Sequence, residues 1–261
     1  MKIYICTDME GISGVVSSDF VLPDGRYFQD GRRYLTDDMN ACVKGCFDAG
    51  ATEVVIRDGH GAGNSAHWDK IDDRATIIQG NTGRERYPLM KGTDAVIMLG
   101  YHAMAGTTQS VLEHTFSSAA IQNLWLNDKL IGEFGIDAAI FGELGIPSIL
   151  VTGDDKTCME AVALVPDIVQ ARVKVGYSTQ GAVSLSRSRA HALIHEKTVE
   201  AIGKIRKIKP LTVPHPVTLR REAMERQPPT LTHSSEVKYV SARVVETTAP
   251  TVEEAFWRLF F

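Results

Sequence analysis

Residues 3–11 read Ile-Tyr-Ile-Cys-Thr-Asp-Met-Glu-Gly. The first four make a compact apolar run with β-branched residues, which predicts a buried strand. Two carboxylates and a glycine follow at once. The same order recurs downstream. Glu53 to Arg57 holds Val-Val-Ile and runs into Asp58-Gly59-His60-Gly61. Asp94 to Gly100 (DAVIMLG) runs into Tyr101-His102-Ala103, and Ser148 to Thr152 into Gly153-Asp154-Asp155. Thr76 to Gln79 adds a short strand and Ile168 to Val175 a half-exposed one. Between these runs, Leu35, Met39, Cys42, Val43, Cys46 and Phe47 fall at helical spacing, and Gly50 follows as a stop. Phe134 to Leu144 is a second helix, ended by Gly145 and Pro147. Gln122 to Ile131 predicts a hairpin turning at Asn127-Asp128. Alternating strands and helices with near-continuous apolar strands predict an α/β fold: a largely parallel sheet with flanking helices, Rossmann-like and three-layered.

Past Gly176 the texture changes. A helix is expected over Ser186 to Arg206, then a connector through Pro210, Pro214 and Pro216. Strands follow at Val217 to Arg221 and Val237 to Val245, with a closing helix at Thr251 to Phe260. This suggests a metal-binding α/β domain over 1–180 and a smaller α+β domain over 181–261.

The chain has 261 residues, 44% hydrophobic and 23% charged, which rules out disordered and fibrous classes. A net charge of -4 removes the electrostatic source of phosphate-backbone affinity, so nucleic acid is not an expected partner. No run approaches the ~20 apolar residues of a membrane helix, so no membrane is expected either. The opening MKIYICTDME lacks a signal-peptide core. Cys6, Cys42, Cys46 and Cys158 form no CxxC pair, so reduced thiols and a cytoplasmic location are expected.

In open α/β sheets, ligands bind at the carboxyl ends of the strands. The candidate exits carry Asp8 and Glu10, His60, His102, Glu133 after the hairpin, and Asp154-Asp155. Carboxylate mixed with imidazole suits zinc, manganese or cobalt rather than magnesium or calcium. Five ligands exceed what one tetrahedral catalytic zinc uses, but serve two metals if one carboxylate bridges. Such a pair would activate a water and clamp an oxyanion. Each residue also has a plain structural reading: a helix cap for Asp8 or the Asp154-Asp155 pair, a structural loop imidazole for each histidine, a dipole-compensating residue for Glu133. Two other patterns fail. The glycine run from Gly59 to Gly63 has Asn64 where a dinucleotide loop needs its third glycine. His191 and His195 lack the glutamate of a zinc-protease helix, since Ala192 stands there, and are expected at a surface or interface.

The motifs TDMEGISG (Thr7 to Gly14), DGHG (Asp58 to Gly61), GYHAMAG (Gly100 to Gly106), EHT (Glu113 to Thr115), GEFG (Gly132 to Gly135) and TGDD (Thr152 to Asp155) are similar, in the same order, to those of the D-aminopeptidase family, peptidase family M55. These are zinc peptidases formerly described as dipeptide transport proteins. The similarity spans essentially the whole chain and weakens beyond Gly176. It implies two Zn2+ per subunit, with Asp8 as bridging carboxylate and Glu10, His60, His102 and Glu133 as the other ligands. His114 resembles the family's catalytic histidine, a nucleophile or base. The implied substrate is a short peptide whose N-terminal residue is a D-amino acid. The implied assembly is a ring-like homo-oligomer such as a decamer. The apolar end, from Phe256 to Phe261, suits either assembly or an ordinary core helix. Alternatives are a non-catalytic peptide-binding protein, or a metal-dependent amidase or phosphoesterase. For the last, Arg57 and Lys156 are the only cations near the exits.

Overall fold

The computed structural model describes residues 1–227 and 236–261. In chain order its main elements are β1 (Lys2–Thr7), α1 (Phe28–Asp48), β2 (Glu53–Asp58), β3 (Thr76–Ile78), β4 (Ala95–Leu99), β5 (Ile121–Leu126) and β6 (Lys129–Leu130). Then come α2 (Glu133–Glu143), β7 (Ser148–Gly153), α3 (Asp155–Leu164), β8 (Val169–Arg172), β9 (Lys174–Ser178), β10 (Gly181–Ser184) and α4 (Arg187–Gly203). The last are β11 (Val217–Ala223), β12 (Val237–Tyr239), β13 (Val244–Ala249) and α5 (Val252–Phe260).

Among the described residues the strands form three sheets. The largest has six parallel strands in the order β3-β2-β1-β4-β7-β8. A second is antiparallel, in the order β12-β13-β11-β5-β6, and β9 and β10 make a separate ribbon. The expected α/β fold, with its parallel sheet, flanking helices and smaller α+β region, is therefore present. The central strands β1, β4 and β7 are buried along nearly their whole length. That explains their continuous apolar runs: each buried Ile, Val or Leu contributes roughly 1.5–3 kcal/mol. Helix α1 buries Leu35, Met39, Cys42, Val43 and Cys46. It stops at Gly50, where the Ala51 N–H returns to the Cys46 carbonyl at 3.0 Å.

Several boundaries differ from expectation. Ile168 to Val175 is not one strand, because the chain leaves the parallel sheet after Arg172 and begins the β9–β10 ribbon at Lys174. Val237 to Val245 breaks at a turn in which the Val240 and Ser241 N–H groups donate to the Val244 carbonyl at 2.9 and 3.1 Å. Asp154-Asp155 does cap a helix, α3, which the sequence pattern did not reveal. The 121–131 hairpin turns at Asn127 and Asp128, with φ of 47° and 64°. Asn and Asp tolerate that conformation, which suits a two-residue hairpin loop. Its strand β5 pairs with β11, so the antiparallel sheet draws on chain from both sides of residue 180. The apolar end is a core helix: α5 buries Val252, Ala255, Phe256 and Leu259, while Phe261 is exposed.

A half-buried arginine pairs with a buried aspartate of α2 and reaches the closing helix. Arg86 Nε donates to Asp137 Oδ1 on α2 at 3.1 Å, and the Tyr101 hydroxyl donates to Oδ2 at 2.7 Å. The Arg86 guanidinium also lies over the Phe256 ring of α5, 4.8 Å from its centroid. Asp137→Ala would leave that part-exposed cation without its partner and the Tyr101 hydroxyl without its acceptor, a loss of about 1–3 kcal/mol. The denaturation midpoint should fall accordingly; an unchanged midpoint would show that the pair contributes nothing.

Candidate metal centre

Asp8, His60 and His102 follow the carboxyl ends of β1, β2 and β4, which are neighbours in the sheet. Two glycines let the first and third of these loops touch backbone to backbone. A Cβ on Gly11 would sit 1.9 Å from the Tyr101 carbonyl oxygen. Gly100 has φ +75°, and a Cβ there would sit 2.4 Å from the Asp8 carbonyl oxygen. The contact is sealed by Asp8 N–H to the Leu99 carbonyl at 2.9 Å and Gly11 N–H to the Gly100 carbonyl at 2.7 Å. Glu133 arrives differently. It opens α2 after a hairpin of the antiparallel sheet, so it is not an exit of the parallel sheet as the sequence suggested.

Two groups of side chains result: Asp8, Glu10 and His60, and His102, His114 and Glu133, each able to present one ligand atom per residue within 4.8 Å of the others. Asp8 joins them. Its Oδ1 is 3.2 Å from His60 Nδ1, and its Oδ2 is 3.2 Å from His102 Nε2. Glu10 Oε2 is 3.1 Å from His60 Nδ1, and Glu133 Oε1 is 3.1 Å from His102 Nε2. His114 stacks on His102 with ring centroids 4.0 Å apart, and its Nε2 is 3.7 Å from Glu133 Oε1. All six residues named from the sequence therefore meet.

The far nitrogen of each imidazole faces a backbone carbonyl. His60 Nε2 is 3.0 Å from Val21 O, His102 Nδ1 is 3.0 Å from Ala103 O, and His114 Nδ1 is 2.8 Å from Leu112 O. A carbonyl only accepts, so these nitrogens carry protons, and the other nitrogen of each ring points inward at carboxylate oxygens. Such a nitrogen meets a carboxylate favourably only through a cation between them, a second ring proton or a metal ion. Burial alone would drive His60 and His102 neutral, but Glu10 and Asp8 beside the first, and Glu133 and Asp8 beside the second, push both pKa values well above the usual. Burial likewise works against ionised Asp8 and Glu133, yet the imidazoles hold both below the usual carboxylate range. His102 Nε2 and Glu10 Oε2 are buried and aligned for no hydrogen bond. Oxygen and imidazole donors converging with unsatisfied atoms fit a divalent metal of the zinc type.

The surroundings hold these groups in place. Phe116, at φ +58°, turns its N–H onto Glu133 Oε1 at 2.6 Å. Gln109 and Leu112 in the same loop also have left-handed φ, at 59° and 51°. Three such non-glycine residues around His114 mark stored backbone strain. Asp154 Oδ2 restrains the loop by accepting from Ser110 Oγ and Val111 N–H, both at 2.8 Å. Glu113 does not face His114; it accepts from the Gly106 N–H at 2.5 Å. Lys156 is committed to Asp155 and the Gly176 carbonyl. His191 and His195 lie on α4 against Asp38 and Asp48 of α1, outside both groups.

Three residues near the centre were not found from sequence. Asp38 takes the Ser13 N–H and hydroxyl at 2.8 and 2.7 Å. Glu160 accepts from the Met104 N–H at 2.8 Å, and burial pushes its carboxyl up to about 7. Lys174 is buried under the 10–15 loop, and burial pushes its amine down to about 8. None has a local signal: an acid or lysine inside a helix or an alternating strand looks like any solvated residue.

The chain matches the family described as D-aminopeptidase over residues 1–260. A curated D-aminopeptidase of Bacillus subtilis (strain 168) is 34% identical over 218 residues, covering 82% of this chain and 78% of that one. Among solved structures, the Zn-dependent D-aminopeptidase DppA from Bacillus subtilis, described as a self-compartmentalizing protease, has a TM-score of 0.93 at 30% identity. That match covers 99% of this chain and 95% of that one.

Proposed function

The chain belongs to the D-aminopeptidase family and is a metallo-aminopeptidase, and from that premise we propose that it uses two zinc ions to release the N-terminal D-residue of short peptides. The observation that carries the two-ion reading is the Asp8 carboxylate, with one oxygen turned to each group. Asp8, Glu10 and His60 would hold one zinc; Asp8, His102 and Glu133 would hold the other. Zinc, when bound, supplies Lewis acidity that lowers the pKa of water toward neutrality and offsets charge building on a carbonyl oxygen. The chain supplies the rest. Asp8, Glu10 and His102 are buried, which fixes their orientation toward the reacting atoms. His114 keeps its Nδ1 proton on the Leu112 carbonyl and presents Nε2 to the centre, where it would take a proton from the attacking water and pass it to the leaving amine. The Phe116 N–H keeps Glu133 turned toward His102.

Likeness to the self-compartmentalizing neighbour supports a homo-oligomer; we propose a ring-like assembly such as a decamer, the form the family resemblance implies. Among the described residues no helix is long and apolar enough to cross a membrane, and all four cysteines are free and buried, which favours a cytoplasmic site of action.

Metal analysis of the purified protein, with a screen of matched D- and L-aminoacyl amides and dipeptides, tests the reading. Two zinc per chain and D-selective release of the N-terminal residue are expected. Undiminished hydrolysis by metal-stripped protein would refute the zinc chemistry, and faster cleavage of the L-series would refute the stereochemical assignment.

A further inference from the structure

Lys174 is among the largest side chains fully buried in the protein. Its ammonium donates to three backbone carbonyls at once: Glu10 at 2.6 Å, Ile12 at 3.0 Å and Val15 at 2.6 Å. All three belong to the irregular segment that leaves β1 and carries Asp8 and Glu10. No strand or helix forms there to organise these carbonyls. Three acceptors need three donors, which only an ammonium on a flexible stem provides at one point.

The element bearing Lys174 also holds the other side of the centre. In the turn of the β9–β10 ribbon, the Thr179 carbonyl accepts the Leu112 N–H at 2.8 Å. A Cβ on Gly176 of the same ribbon would sit 2.3 Å from the Gln109 carbonyl oxygen. One ribbon thus grips both the loop of Glu10 and the loop of His114, whose positions in the chain differ by about a hundred residues. Asp38 grips the Glu10 loop from the opposite direction through Ser13.

We propose that Lys174 is a positioning residue for the metal centre, gathering the carbonyls of Glu10, Ile12 and Val15 so that the Glu10 carboxylate is aimed at the Asp8–His60 group. The proposal rests on the two-ion reading above. It separates Lys174 from a merely structural lysine, whose loss would weaken the whole centre evenly. Residues that orient metal ligands typically change metal affinity by about 10–100-fold. That loss should fall on one ion only.

The test is zinc affinity, measured by competition with a chromophoric chelator, in the full chain and in Glu10→Gln, Lys174→Met and the double variant. The wild type should bind two equivalents, and Glu10→Gln should identify which one depends on Glu10. Lys174→Met should weaken that equivalent about 10–100-fold, leave the other unchanged, and add no further loss in the Glu10→Gln background. Lys174→Gln keeps two of the three donors and gives the same readout if the methionine variant does not fold. Wild-type affinity at both equivalents, equal weakening of both, or loss of fold in both lysine variants would overturn the proposal. Fewer than two equivalents in the wild type would instead sink the two-ion reading, and two at wild-type affinity in Glu10→Gln would remove Glu10 from the centre; either takes the lysine assignment with it.

Discussion

Asp8→Asn is expected to bind neither zinc tightly and to lose about a thousandfold or more in kcat/KM, because the Lewis acidity at stake is worth several kcal/mol and each 1.36 kcal/mol is tenfold. The substitution is nearly isosteric, so the backbone contact with β4 through Leu99 and Gly100 should survive. What disappears is one of the two anionic oxygens, each of which sits 3.2 Å from a different imidazole. A carboxamide has a single acceptor oxygen and cannot serve both groups as an anion. Glu10→Gln should behave differently, since Glu10 faces His60 alone. Metal analysis of the two variants therefore discriminates a bridge from a terminal ligand: neither zinc in the first, one zinc in the second. Two zinc atoms and full turnover in Asp8→Asn would remove Asp8 from the centre altogether.

How far this centre could be read from the sequence depends on where each residue gets its information. The exits of β1, β2 and β4 were legible because parallel strands buried on both faces are written as unbroken apolar runs, and their first polar residues stand out. Glu133 was legible as a residue but not as a place, since the hairpin before it pairs with β11, nearly a hundred residues on. Long-range pairing leaves no mark on local periodicity. The break at Val173 is similar. Alternation continues across it, while the chain passes from the parallel sheet to the ribbon. Lys174 falls just there, and a lysine in an alternating strand reads as a solvated face. Its burial is set by carbonyls from residues 10–15, which no window around residue 174 contains. The strained turns at Gln109, Leu112 and Phe116 were hidden for a further reason: none is a glycine, so nothing advertises a left-handed backbone.

His114→Ala should keep both zinc ions and lose about 10²–10⁴-fold in kcat, the range that proton transfer by a positioned side chain contributes. The geometry makes this outcome informative, because His114 also belongs to the cluster with His102 and Glu133. Two features favour a proton carrier over a ligand. Its Nε2 stands 3.7 Å from Glu133 Oε1, while His102 Nε2 approaches the same oxygen to 3.1 Å and the Phe116 N–H to 2.6 Å. The Glu133 oxygen is thus already committed. His114 also sits on the strained loop, and such strain is kept where a reacting group must be held in one orientation. The alanine variant removes a ring stacked on His102 without touching the Asp8 or Glu10 contacts, so the fold and the first zinc should be indifferent to it. Added imidazole should restore part of the turnover if proton transfer is what was lost. A variant that binds one zinc fewer, and that imidazole leaves inactive, would make His114 a ligand and pass the proton-carrying role to another group.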